Sequence, residues 1–207
     1  LSMVPKRRLK KLLSSLLSEH EFMSDYGIRA LSKVHENPYT IIIEGQEFSV
    51  KYDPGESSTP LFGGNSNWRG PIWMPMNFLF VQSLREFHKY YSDNFSVNCL
   101  DGTSDQVNLH KLSNQIANRL IRIFQKDKQG DRPVNALYKD WYRDEHFRDL
   151  VLFYEYFHGD NGRGVGASHQ TGWTGCVAYL IDHVSQWVKT SDITTDEIST
   201  PSNGQPD

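Results

Sequence analysis

Five leucines near the start of the chain, Leu9, Leu12, Leu13, Leu16 and Leu17, recur at i, i+3, i+4, i+7 and i+8. That spacing sets them on one face of a helix. Pro5, just before them, suits a first helical turn, where its missing N–H costs nothing. The same period returns over residues 108–128, where Leu109, Leu112, Ile116, Leu120 and Ile123 share a face. It returns again over residues 172–189, with Trp173, Val177, Leu180, Val184 and Trp187 facing inward. A further helix is predicted over residues 71–92, with Pro71 at its start. Between Tyr39 and Val50 the pattern changes to a hairpin: Thr40 to Ile43, a Glu44-Gly45 turn, then an alternating stretch from Gln46 to Val50. Residues 150–157 form a short apolar run that reads as a strand. Residues 24–29 and 53–67 read as loops, the second long enough to be functional. Residues 159–166 form a glycine-rich loop. No internal repeat is visible. The fold class expected is mainly α with a minor β-hairpin.

Composition bounds this picture. The 207 residues suffice for one domain, read as residues 1–189. Residues 190–207 are mostly Ser, Thr, Asp and Pro with two isoleucines, and are expected to form a disordered tail. A net charge of -3 gives no global field favouring nucleic acid or an acidic membrane surface. The short basic cluster Lys6, Arg7, Arg8, Lys10 and Lys11 reads as a solvated helix face. No apolar run approaches the ~20 residues that span a bilayer. Cys99 and Cys176 are too few for a disulfide framework and read as free thiols, which favours a reducing, cytoplasmic setting. The eight histidines are scattered and form no metal-ligand pattern, so no metal or cofactor is expected. The chain begins at Leu1 rather than Met, and we read it as a fragment of a longer product.

Three segments concentrate chemistry. The first is Gly63-Gly64-Asn65-Ser66-Asn67-Trp68-Arg69-Gly70-Pro71-Ile72-Trp73. Its asparagines and arginine offer hydrogen bonds and its tryptophans flat apolar faces. Sugars carry hydroxyls at their edges and C–H groups on their faces, so the mixture suits them. The competing reading makes the tryptophans core and pairs Arg69 with a carboxylate. The second runs from Phe153 to Gly164, where aromatic residues surround Glu155 and a loop carries Asp160. Aromatic surroundings desolvate a carboxylate and suit it to acid or base work. The competing reading sends Glu155 to solvent or to an arginine. The alternating Gly162, Gly164 and Gly166 lack the Lys-Ser/Thr of a phosphate loop. The third is Ser168-His169-Gln170-Thr171-Gly172-Trp173. Adjacent Ser168 and His169 have the wrong geometry for a nucleophile and its base. His169 and Trp173 would share a helix face, i to i+4, if the helix had already begun.

Together these segments resemble the C-terminal half of glycoside hydrolase family 63, which includes processing α-glucosidases and mannosylglycerate hydrolases. The resemblance rests on Tyr26-Gly27-Ile28-Arg29-Ala30-Leu31-Ser32, Asn67-Trp68-Arg69-Gly70-Pro71-Ile72-Trp73, Tyr154-Glu155-Tyr156-Phe157 and Thr171-Gly172-Trp173, over residues 20–188. It implies that residues 1–189 are the C-terminal portion of an (α/α)6 toroid of the six-hairpin glycosidase class. It implies inverting hydrolysis by two carboxylates: an acid that protonates the leaving oxygen and a base that activates water. Glu155 matches the base. Asn67, Trp68, Arg69 and Trp73 match a pocket-lining segment, and His169 and Trp173 its closing loop. Asp160 is added as a substrate contact.

Two departures qualify the resemblance. His158-Gly159-Asp160-Asn161 stands where the family often has Asn-Pro. The family's acid is an aspartate well upstream, and no segment before Ser24 resembles its surroundings. Asp160 is a local acid by type but stands too close to Glu155 in sequence to be favoured. The expected partners are therefore a small oligosaccharide or glycoside and the missing N-terminal half of the same polypeptide. A non-catalytic carbohydrate-binding module, or a truncated relic, is the alternative.

Overall fold

The helix over Leu109–Arg122 (α3) is the centre of the core. The computed structural model describes residues 4–59, 66–100 and 105–196, with side chains up to residue 186. Asn108 caps α3 by accepting a hydrogen bond from the Lys111 N–H at 2.8 Å. Leu109, Leu112, Ile116 and Leu120, with Ile123 just past the helix end, are all 0% exposed. Fully burying one such side chain is worth ~1.5–3 kcal/mol. The periodicity of this segment was therefore a faithful guide. The helix stops at Arg122, short of the predicted 128. Ile123, Phe124 and Gln125 donate to carbonyls three residues back, which tightens the chain into a 3₁₀ turn. Asp127 then accepts from the N–H groups of Gln129 and Asp131.

Against α3 pack Met74–Tyr91 (α2) and Val177–Asp196 (α5). α2 begins at Met74, later than the predicted 71, and for a physical reason. Pro71 offers its carbonyl to Ala30, and Ile72 exchanges two backbone hydrogen bonds with Phe157 at 2.8 and 2.9 Å. Those residues are held extended, and Pro75 takes the first-turn position instead. The predicted last helix is two: Thr171–Thr174 (α4) and α5. α5 runs past 189 to Asp196; the remainder of the expected tail, 197–207, lies outside the described residues. Val177 and Leu180 are buried and Val184 partly so, whereas Trp173 is exposed; the Trp187 side chain lies outside those described.

The first helix covers Lys6–Leu16 (α1). Leu9 and Leu13 are buried, but Leu12 is 61% exposed, so the five-leucine face is only partly covered. Leu12 borders an apolar groove of about 670 Å3 shared with Leu16, Phe80, Leu84 and Phe87.

Four antiparallel hairpins complete the described chain. The predicted one pairs Tyr39–Ile43 (β3) with Gln46–Val50 (β4) across Glu44 and Gly45, both at positive φ. The other three were not foreseen. Met23–Ser24 (β1) pairs with Gly27–Ile28 (β2) inside a segment read as a loop. Ser96–Asn98 (β5) pairs with Gln106–Asn108 (β6). Tyr156–Phe157 (β7) pairs with Gly164–Val165 (β8), so the predicted strand over 150–157 shrinks to its last two residues. Ile72 bridges Arg29 on one side and Phe157 on the other, which ties β2, the start of α2 and β7 together.

Candidate active site

The bridge at Ile72 brings the first and second chemistry-bearing segments side by side. Trp73, 1% exposed, anchors its indole by donating to the Asn67 carbonyl at 2.9 Å. Its ring stacks on Trp68, with centroids 3.9 Å apart and planes within 3°. Tyr156 stacks on it at 4.7 Å, and Trp173 leans against it at 5.4 Å. Four aromatic rings from all three segments thus meet at Trp73. Trp68 and Trp173 keep 38% and 39% of their surface open, so the cluster is core at its centre and available at its edges. Trp68 and Trp73 also line a cavity of about 250 Å3 with Ile28, Met76 and Phe80.

Asn67 and Arg69 point elsewhere. Asn67 is 0% exposed and donates to the carbonyls of Asp53 and Gly55, at 2.6 and 3.0 Å. Its side-chain oxygen accepts the Arg69 N–H. Arg69 is buried, pairs with Asp53 at 3.2 Å, and donates to Ser57 and Thr59. Both side chains clamp the loop over residues 53–59, so the competing reading of Arg69, a carboxylate partner, is the one observed. Gly63, Gly64 and Asn65 lie outside the described residues.

Glu155 takes neither of the roles that would make it unremarkable. It is half-buried and, among the described residues, pairs with no arginine. Its Oε1 accepts from the Ser66 hydroxyl at 2.6 Å, and its Oε2 from the Ala167 N–H at 3.1 Å. A carboxylate has about four acceptor positions, and among the described residues two of them are filled. Its Oε2 and the Tyr156 ring both lie against Gly166, but Glu155 does not line the Trp68–Trp73 cavity.

Asp160 is engaged within the fold. One oxygen accepts from Tyr52 at 3.0 Å, Arg29 at 3.1 Å and Lys33 at 3.5 Å. Burial opposes its charge, but the Tyr52 hydroxyl, Arg29 and Lys33 outweigh that and hold its carboxyl below the usual carboxylate range. Burial, with Asp160 beside it, pushes the Tyr52 hydroxyl up. Sequence reading missed Tyr52, Lys33 and this use of Arg29; only the affinity of a loop carboxylate for cationic partners could have hinted at them.

His169 precedes α4, so it does not share a helix face with Trp173. Its ring accepts from the Phe153 N–H at 3.4 Å and meets the Thr171 hydroxyl at 2.9 Å, which fastens the start of α4. Ser66, the partner of Glu155, stood in the first segment without being singled out. Among the described residues there is no cluster of three or more metal-ligating side chains, and no helix long and apolar enough to cross a membrane. Both cysteines are free thiols, and burial pushes Cys176 up to about 11.

Comparison with known proteins identifies the family. The sequence model of the glycosyl hydrolase family 63 C-terminal domain matches residues 2–183. An uncharacterized protein of Saccharomyces cerevisiae is 49% identical over 189 residues, covering 89% of this chain and 17% of that protein. The mannosyl-oligosaccharide glucosidase of the same yeast is 27% identical over 184 residues, covering 87% of this chain and 16% of its own length. The chain thus spans only a small part of the relatives it matches. A match over nearly all of α1 to α5, embracing the Trp73 cluster and the Glu155 hairpin together, means that this chain belongs to glycosyl hydrolase family 63.

Proposed function

We propose that this chain is part of the catalytic domain of an inverting glycoside hydrolase acting on an α-glucoside or related sugar. Glu155 is the general base that activates water. The observation that carries this reading is the bonding of Glu155. Ser66 and Ala167 fix both carboxylate oxygens, and the described residues fill only two of its acceptor positions. A base needs that combination of fixed aim and free lone pairs. The relative named mannosyl-oligosaccharide glucosidase supports the sugar class. Hydrolysis of this kind uses two carboxylates and no cofactor.

The acid belongs to a segment outside this chain. Asp160 is unsuited to the role, because a carboxyl held below its ordinary range has no proton to give near neutral pH. The open groove between α1 and α2 fits the same reading, in which further helical hairpins of an (α/α)6 toroid cover it. A carbohydrate-binding role without hydrolysis is the second reading, favoured by the open faces of Trp68 and Trp173.

The test is Glu155→Gln in the full-length protein that carries this chain. We expect kcat on an α-glucoside to fall by about 10²–10⁴-fold, with sugar affinity retained. Turnover close to that of the parent would remove Glu155 from the mechanism. Sugar binding without turnover in the parent would select the second reading.

A further inference from the structure

A second concave site lies against the back of the Glu155 wall. The segment after α3 forms two 3₁₀ turns, Pro133–Tyr138 and Trp141–Arg143. It is pinned at several points. Val134 donates to the Ile123 carbonyl, Arg132 to the Phe124 carbonyl, and Arg143 to both oxygens of Asp131 at 2.9 and 2.7 Å. The pinned segment presents Tyr138 and Trp141, with ring centroids 5.5 Å apart. Trp141 is 69% exposed and stands with Tyr138 and Leu137, 47% and 62% exposed, so the segment presents a contiguous apolar patch of the kind that marks a binding face.

These rings border a cavity of about 330 Å3 that also touches Tyr142, Tyr154, Ser168 and Glu56. That volume lies in the range of small-ligand sites, about 300–1,000 Å3. Glu56 is positioned from two sides: the Tyr156 hydroxyl donates to its carboxylate, and the preceding Gly55 carbonyl is held by Asn67. Burial raises Tyr154, with Tyr142 and Tyr138 adding to it, so its hydroxyl stays protonated and able to donate.

The wall between cavity and catalytic carboxylate is one residue thick. Gly166 lines the cavity, and a Cβ built on it would lie 2.8 Å from Glu155 Oε2, with φ at +71°. Ala167 beyond it binds Glu155 both ways, N–H to Oε2 and carbonyl to the Glu155 N–H.

We propose that this cavity is a sugar subsite, distinct from the Trp68–Trp73 face, that holds a neighbouring ring of the same oligosaccharide whose bond is cut by the water that Glu155 activates. The chemistry selects a neutral polyol. Flat aromatic faces take the C–H side of a pyranose, while hydroxyls and a carboxylate take its O–H groups. The lining contains no cationic side chain, and Glu56 repels phosphate or sulfate. The proposal rests on the glycosidase reading of Glu155 and deepens it.

The experiment compares Trp141→Ala with Glu155→Gln in the full-length protein, each assayed on an α-linked gluco-oligosaccharide and on methyl α-glucoside. Binding of the oligosaccharide is measured in parallel by calorimetry. For Trp141→Ala we expect about a tenfold rise in KM and Kd for the oligosaccharide, with kcat unchanged and methyl α-glucoside handled as by the parent. Glu155→Gln should lose kcat on both and keep both affinities. An equal rise for both sugars, or no rise for either, overturns the subsite. Trp141→Phe, which keeps a flat face, should restore most of the affinity; failure to do so also counts against it. If the parent turns over neither sugar but binds the oligosaccharide through Trp141, the glycosidase reading fails while the subsite stands.

Discussion

The helical core and the wall around Glu155 are closed by different kinds of contact. α2, α3 and α5 meet mainly through apolar side chains, those of α3 and α5 spaced three or four apart so that each helix declares its buried face locally, with Arg85 of α2 donating to Ser113 and Asn114 of α3 as the polar exception. The wall is closed by polar bonds between residues far apart in the chain: Arg29 to Asp160, Ser66 to Glu155, Asn67 to Gly55. The first kind of contact is many small, non-directional terms. The second is a few directional ones, each tied to a particular partner. Damage to the core should therefore be felt by the whole molecule, and damage to the wall mainly where it occurs.

The largest expected effect is at the centre of the core. Ile116→Ala removes a fully buried side chain from the α3 face, at a cost of about 2–5 kcal/mol. Chemical denaturation should show a lower midpoint, with hydrogen-exchange protection lost in α2, α3 and α5 together. Loss confined to α3 would mean that the three helices do not unfold as one unit.

A smaller effect is expected from Asp160→Asn. It takes charge from a carboxylate that serves buried Arg29, Lys33 and Tyr52; hydrogen bonds to charged groups contribute about 1.5–3 kcal/mol each. Exchange should quicken in β2, β7 and β8 while α3 stays protected. The sign with pH follows from the lowered carboxyl. A depressed folded-state value stabilises above the ordinary carboxylate range, and that stability is lost as pH falls through the folded value. The gap between parent and variant should be constant near neutral pH and close in strong acid. A gap that persists there would assign the effect to packing instead.

The same contrast explains what the sequence disclosed. Every predicted contact face of α3 was right because helical period alone decides it. Leu12 misled because the pattern says which residues share a face, not whether anything covers it. Pro71 misled because its carbonyl and the Ile72 backbone were recruited by Ala30 and Phe157, residues no local window contains. At the site, the types of residue were legible and their partners were not. Trp68, Trp73 and Trp173 do converge. Asn67 and Arg69 carry the right groups for sugar but aim them at the loop over residues 53–59. Glu155 was singled out through its neighbours in sequence; Ala167 holds it from 12 residues on, whereas Ser66 reaches it from 89 residues away, which no local window contains.

The smallest effect is a pH slope that each region should show independently. His110 on α3 is lowered by burial first, then by His88 and Arg85 on α2 and by His183 on α5; Tyr179 and Asp182 also face this cluster from α5. His158 in the wall is lowered by burial and by Arg163, against the pull of Asp160 and Asp53. A histidine kept neutral in the fold stabilises it above its ordinary value near 6.5, and that stability is lost as pH falls through the lowered folded value. The Asp160 carboxyl titrates far below this window and does not mask it. Between pH 7.5 and 5.5 the parent's melting temperature should fall by about a few degrees. His110→Gln should flatten that fall in global melting. His158→Gln should leave the global slope in place and flatten only the pH dependence of exchange in β7 and β8. If His158→Gln flattened the global slope as much as His110→Gln, the wall and the core would be one cooperative unit, and the distinction between them would not hold.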